Sequence, residues 1–85
     1  MIEFDCTVKD PMGLHARPAG ALVRAAKQYR SRVTLSANGK ECDATRLMAL
    51  MALCVKSGTK IGVRVEGEDE AECAEGLRRF FAEEL

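Results

Sequence analysis

The chain has 85 residues, of which 13 are acidic and 13 basic, so its formal net charge is zero at pH 7 with its one histidine neutral. A chain this short buries only about 60% or slightly more of the surface its unfolded form exposes, so it holds one two-layer core and its chemistry belongs at the surface. The charge balance gives no bulk argument for nucleic acid or an anionic membrane, and the apolar run 47–55 falls far short of the ~20 residues that a membrane span needs.

The N-terminal stretch Met1-Ile2-Glu3-Phe4-Asp5 carries an early acid and no apolar core, unlike a signal peptide. The expectation is a soluble, cytoplasmic protein with one domain over residues 1–85. Ile2, Phe4, Cys6 and Val8 alternate with polar residues, which predicts a strand with one buried face. Asp10-Pro11-Met12-Gly13 is a turn. From Ala16 the period changes: Ala19, Leu22, Val23 and Ala26 form one helical stripe. Pro18 in the first turn removes an N–H that would have no helical acceptor. Val33, Leu35 and Ala37 mark a second strand, Asn38-Gly39 a hairpin, and Lys40–Ala44 a short third strand. Asp43 or Thr45 is expected to cap a short helix over Arg46–Leu53. Ile61, Val63 and Val65 mark a fourth strand. Asp69 and Glu72 have capping-box spacing before a last helix whose stripe is Cys73, Leu77, Phe80 and Phe81.

The order β-α-β-β-α-β-α predicts an α+β protein of two layers, one sheet with three helices on one face. The first and third helices carry the clearest core stripes. In the second, Leu47, Met48, Leu50, Met51, Leu53 and Cys54 spread around almost the whole circumference. One face can bury Leu50 and Leu53, and some of Leu47, Met48 and Met51 must then face out. An exposed apolar patch for partner docking is favoured over a fully buried helix, and flexible methionine suits it.

No two of the four cysteines stand at CxxC spacing, and one histidine cannot complete the usual zinc patterns, so no metal and no cofactor is expected. Small buried hydrophobes in a reducing compartment are the simpler reading of Cys6, Cys42, Cys54 and Cys73.

His15 lies between a glycine turn and an Arg-Pro helix start. It is a poor helix cap, and its neighbours are not those of a core histidine. A neutral imidazole nitrogen is a nucleophile that can carry a phosphoryl group covalently. The N–H groups of Ala16 and Arg17 at the helix start would face that anion, and the Arg17 guanidinium matches phosphate geometry. A structural histidine remains the competing reading at this point.

Gly13-Leu14-His15-Ala16-Arg17-Pro18-Ala19 resembles the active-site signature of the HPr family, the histidine phosphocarriers of the bacterial sugar phosphotransferase system. Asn38-Gly39-Lys40, the apolar short helix, Lys56-Ser57-Gly58 and Glu66-Gly67-Glu68-Asp69-Glu70 also lie where that family places similar segments. The resemblance implies an open-faced sandwich with antiparallel strand order 1-4-2-3. It implies phosphorylation of His15 on Nδ1 by Enzyme I, ultimately from phosphoenolpyruvate, and transfer to IIA domains, with Arg17 assisting. Such a protein is a carrier and not a stand-alone enzyme, and a monomer is expected. Arg24, Lys27, Leu47, Met48 and Met51 fall where the family docks its partners.

Two positions depart from the family. Many Gram-positive members carry a regulatory serine where this chain has Arg46, and the neighbouring Thr45 is turned by about 100° on a helix, so no regulation by a serine kinase is expected there. Cys54 stands where the family usually has glycine, close to the active histidine. Its thiol is read either as a small buried side chain or as a group whose oxidation impedes transfer. Two further readings stay open: a regulatory or nitrogen-branch paralogue, and a docking module that uses the Leu47/Met48/Met51 patch without phosphorylation.

Overall fold

A computed structural model describes all residues, Met1–Leu85. The elements are β1 (Ile2–Thr7), α1 (Ala16–Lys27), β2 (Arg32–Ala37), β3 (Lys40–Asp43), α2 (Leu47–Ala52), β4 (Lys60–Glu66) and α3 (Glu70–Glu84). The strands pair antiparallel in one sheet, in the order β1-β4-β2-β3. This is an open sandwich with the expected topology.

Register follows from the alternation in each strand. Phe4, Val63, Leu35 and Cys42 stand opposite one another in one row across the sheet. A slip by one residue would turn every apolar side chain of that strand to water. Val33, Leu35 and Ala37 of β2 and Ile61, Val63 and Val65 of β4 are buried, whereas Ile2, Phe4 and Cys6 of the edge strand β1 are half-buried. The opposite face has no helix over it. There Lys60 pairs with Asp5 at 3.4 Å and Arg64 with Glu41 at 3.7 Å.

Ala19, Leu22 and Ala26 of α1 and Cys73, Ala74, Leu77 and Phe81 of α3 cover the apolar face, as their stripes predict. Phe80 is only half-buried and meets Phe81 edge to face with ring centroids 5.8 Å apart. Of the six residues of α2, Leu50 alone is buried. At the edge, the Arg78 guanidinium of α3 lies 4.8 Å from the centroid of the Phe4 ring, a cation–π contact.

The expected caps do not form. Asp69 stands at the N-cap of α3 without a side-chain cap bond. Its carboxylate instead accepts the Arg30 N–H at 2.9 Å and the Ser31 hydroxyl, tying the α1–β2 connection to the start of α3. Asp43 likewise accepts from Thr45 N–H at 2.8 Å and Thr45 Oγ1 at 2.6 Å, closing a local turn, and the N-cap of α2 is Arg46. Both carboxylates found donors nearer than the helix amides.

Asn38 (φ 52°) and Gly39 (φ 78°) form the hairpin tip with both residues in the left-handed region. The Asn38 amide also donates to the Leu53 carbonyl at 2.8 Å and to the Cys54 carbonyl at 3.2 Å, so the tip holds the exit of α2. That exit holds the loop before α1, because Leu14 N–H donates to the Val55 carbonyl at 3.0 Å. Gly13, with φ 69°, presses against Val55 and Lys56 so closely that a Cβ would overlap the Val55 carbonyl oxygen.

Two outcomes follow from these contacts. Gly13→Ala carries both that overlap and the left-handed penalty of about 1–2 kcal/mol, so a loss above about 2 kcal/mol is expected in urea unfolding. The Ser31 hydroxyl and Arg30 N–H hold the Asp69 carboxyl below its ordinary value near 3.8. A depressed carboxyl contributes fully above its ordinary value, and the contribution is lost as pH falls through the folded value. Asp69→Asn should therefore lower stability at neutral pH and shrink the loss on acidification, as read from urea unfolding at neutral pH and below about pH 4.

Candidate functional site

The loop between β1 and α1 is built by its own short bonds. Asp10 Oδ1 accepts Met12 N–H at 2.8 Å, and Gly13 N–H donates to the Asp10 carbonyl at 2.9 Å. His15 follows in extended backbone (φ −92°, ψ −179°) at the N-cap of α1. Its carbonyl accepts Ala19 N–H at 2.9 Å, but its side chain makes no cap bond. The imidazole is thus committed to nothing in the helix. Ala16 and Arg17 precede the first helical bond, so their N–H groups have no intrahelical acceptor, and Pro18 has none to offer.

A shallow, mostly polar depression of about 360 Å³ lies here. His15, Arg17 and Arg24 share it, together with Asp10 and Glu84. His15 Nε2 stands 4.0 Å from Asp10 Oδ2, with the two side chains 32% and 27% exposed. Two arginine side chains and an open helix start are groups that can meet phosphoryl oxygens, with the carboxylates of Asp10 and Glu84 beside them. Among the side chains that could line a site, Asp10 and Glu84 went unread in the sequence. Asp10 looked like a turn former only, and Glu84 reaches the site through the packing of α3 from the far end of the chain.

Lys27 is exposed in the last turn of α1. Met48 is 80% exposed, and Leu47 and Met51 are exposed beside it, while Leu50 and Leu53 are buried as the circumference of α2 predicts. Arg46 is exposed at the start of α2, with Cys42, Asp43, Leu47 and Met48 around a groove at its side.

The cysteines divide. All four are free thiols. Cys73 is buried and Cys6 half-buried, and burial, with Asp69 and Asp5 nearby, pushes each thiol up to about 11. Burial, then Asp43, also raises Cys42. These three stay protonated at neutral pH and serve as small packing groups. Cys54 overturns the reading of a small buried side chain: it is exposed, with φ 56°. The left-handed backbone gives the physical reason why glycine suits this position, and cysteine holds it at a cost of about 1–2 kcal/mol. The next residue, Val55, carries the carbonyl that anchors Leu14, one residue before His15.

Comparison with known proteins agrees with this geometry. Residues 2–83 match the family model described as the PTS HPr component phosphorylation site. The phosphocarrier protein HPr of Xylella fastidiosa is 40% identical over 81 residues, covering 95% of this chain and 91% of that protein. A solved histidine-containing phosphocarrier protein of Mycoplasma superposes with a TM-score of 0.92 at 30% identity, covering 96% of this chain and 93% of that one. The crystal structure of Crh, a Bacillus subtilis catabolite repression protein described as a domain-swapped dimer, matches with a TM-score of 0.77 at 38% identity, over 100% of this chain and 98% of that one. These full-length matches place the chain in the HPr family of the phosphotransferase system, whose members carry phosphoryl groups and are not stand-alone catalysts.

Proposed function

We propose that His15 accepts a phosphoryl group from phospho-Enzyme I, charged from phosphoenolpyruvate, and passes it to IIA domains for sugar uptake. The observation that carries this reading is the His15 imidazole, which makes no cap bond at the N-terminus of α1 and shares a depression with Arg17 and Arg24. A neutral ring nitrogen attacks phosphorus, the new N–P bond forms, and the bond from phosphorus to the donor breaks. The Ala16 and Arg17 amides and the Arg17 guanidinium receive the phosphoryl oxygens. Because the group is held by a few exposed donors, it can be surrendered to the next protein. No helix is long and apolar enough to cross a membrane, and the carrier is read as acting in the cytoplasm as a monomer.

Leu47, Met48 and Met51, with Arg24, Lys27 and Arg46, form the docking face in this reading. An apolar hollow rimmed by carboxylates on the partner would complement it. With Arg46 in place of the regulatory serine, the charge at the start of α2 is permanent and positive.

The likeness to Crh over the whole chain favours a second reading, a regulatory paralogue. A domain-swapped dimer on size-exclusion chromatography would support it. Transfer assays separate carrier from docking module. With phosphoenolpyruvate and Enzyme I, the protein should gain one acid-labile phosphoryl group, and His15→Ala should gain none. A competent Enzyme I that leaves the wild type unmodified would sink the carrier reading. Arg17→Ala should slow transfer by about tenfold or more, since it removes a charge-assisted contact. Met48→Asp should raise the KM for Enzyme I by about tenfold, the effect of losing one interface anchor, while saturating Enzyme I still loads His15 fully.

A further inference from the structure

We propose that Asp10 is a positioning residue for this transfer: its carboxylate selects the His15 tautomer that carries the proton on Nε2 and leaves Nδ1 free to attack phosphorus. The inference rests on the phosphocarrier reading above.

Three contacts fix Asp10. Its N–H donates to the Leu85 main-chain oxygen at 2.9 Å, its carbonyl accepts Gly13 N–H at 2.9 Å, and its Oδ1 accepts Met12 N–H at 2.8 Å. The remaining oxygen, Oδ2, stands 4.0 Å from His15 Nε2. That separation is ion-pair range and somewhat beyond a direct hydrogen bond. Such contacts are commonly long in the resting protein and tighten when the reacting partner is bound. Glu84, the other carboxylate of the depression, makes no ion pair with the ring.

An ionised carboxylate accepts and cannot donate. It therefore favours a ring with hydrogen on the nitrogen that faces it, and in a neutral imidazole the other nitrogen then holds the lone pair. When Nδ1 attacks, the N–P bond forms and the bond between phosphorus and the donor breaks, its electron pair leaving with the donor. The proton stays on Nε2, so the ring becomes cationic and faces Asp10. On transfer to the acceptor the N–P electron pair returns to Nδ1 and the ring is neutral again. No proton has to enter or leave the ring in either direction. Arg17 and Arg24 offer positive charge to the phosphoryl oxygens, while Asp10 offers negative charge to the ring.

The discriminating variant is Asp10→Asn. Its side-chain oxygen can keep the bond from Met12 N–H, so the turn survives. The amide nitrogen then takes the place of Oδ2 and donates toward Nε2, which favours the proton on Nδ1 and blocks the nucleophile. The ring ¹⁵N resonances of His15 are recorded in the unphosphorylated protein with the imidazole neutral, and single-turnover transfer from phospho-Enzyme I is timed. The wild type should show hydrogen on Nε2. Asp10→Asn should shift it toward Nδ1, with transfer slowed by about tenfold or more and an unchanged urea midpoint. Asp10→Ala should give a mixture of tautomers and about a fivefold loss, the size of a unit-charge attraction at this distance in water. Wild-type tautomer in Asp10→Asn overturns the proposal, whether or not the rate falls, and so does a wild-type rate. A tautomer shift in a protein whose wild type takes no phosphate removes the carrier reading, and with it any role of Asp10 in transfer.

Discussion

The hydrogen bond from Leu14 N–H to the Val55 carbonyl holds together parts of the molecule that are far apart in the chain. On one side of it stand Gly13 and His15. On the other stands the exit of α2, which the Asn38 amide grips from the hairpin tip. One backbone bond contributes only about 1 kcal/mol net. Its importance is geometric: it ties the residue before His15 to the exit of α2 and so helps to set where the chain enters α1. The absence of a Cβ on Gly13 lets the two backbones come this close. The short helix α2 and the His15 side chain thus share one anchorage, although they belong to different elements.

Much of this was legible in the sequence because the two periods are clean. β1, β2 and β4 alternate strictly, α1 and α3 carry continuous stripes, and Asn38-Gly39 names its own turn. The predicted exposure of Leu47, Met48 and Met51 also followed from counting faces in a short helix. The strand order came from family resemblance, since periodicity says which face of a strand is buried and not which strand lies beside it. The capping bonds failed to form for a different reason, although Asp69 does stand at the N-cap of α3. Asp69 and Asp43 have the residue type and spacing of caps, but a carboxylate binds whichever donors folding brings nearest. For Asp69 those were the amide of Arg30 and the hydroxyl of Ser31, distant in sequence. Cys54 misled because its identity says small and apolar, whereas its position is set by a left-handed backbone that leaves the side chain outside.

Stability and function occupy different layers. The buried residues of α1 and α3 close the sheet face, while the His15 side chain lies where the β1–α1 loop meets α1 and is 32% exposed. A phosphoryl carrier gains from this separation. In the proposed role its site is approached by two partners in turn, and a deep pocket would hinder both. The short α2 helix follows the same logic, with Leu50 buried as its root and its remaining apolar side chains turned outward. Arg46, exposed at its start, adds a fixed positive charge there.

The uncovered face of the sheet has a practical consequence. It bears polar and charged side chains from all four strands, stitched by the Lys60–Asp5 and Arg64–Glu41 pairs, and takes no part in the core. A copy tethered to a solid support through that surface would leave α1, α2 and the loop before them accessible from solution. The molecule has, in effect, a back by which it can be held while its front remains at work.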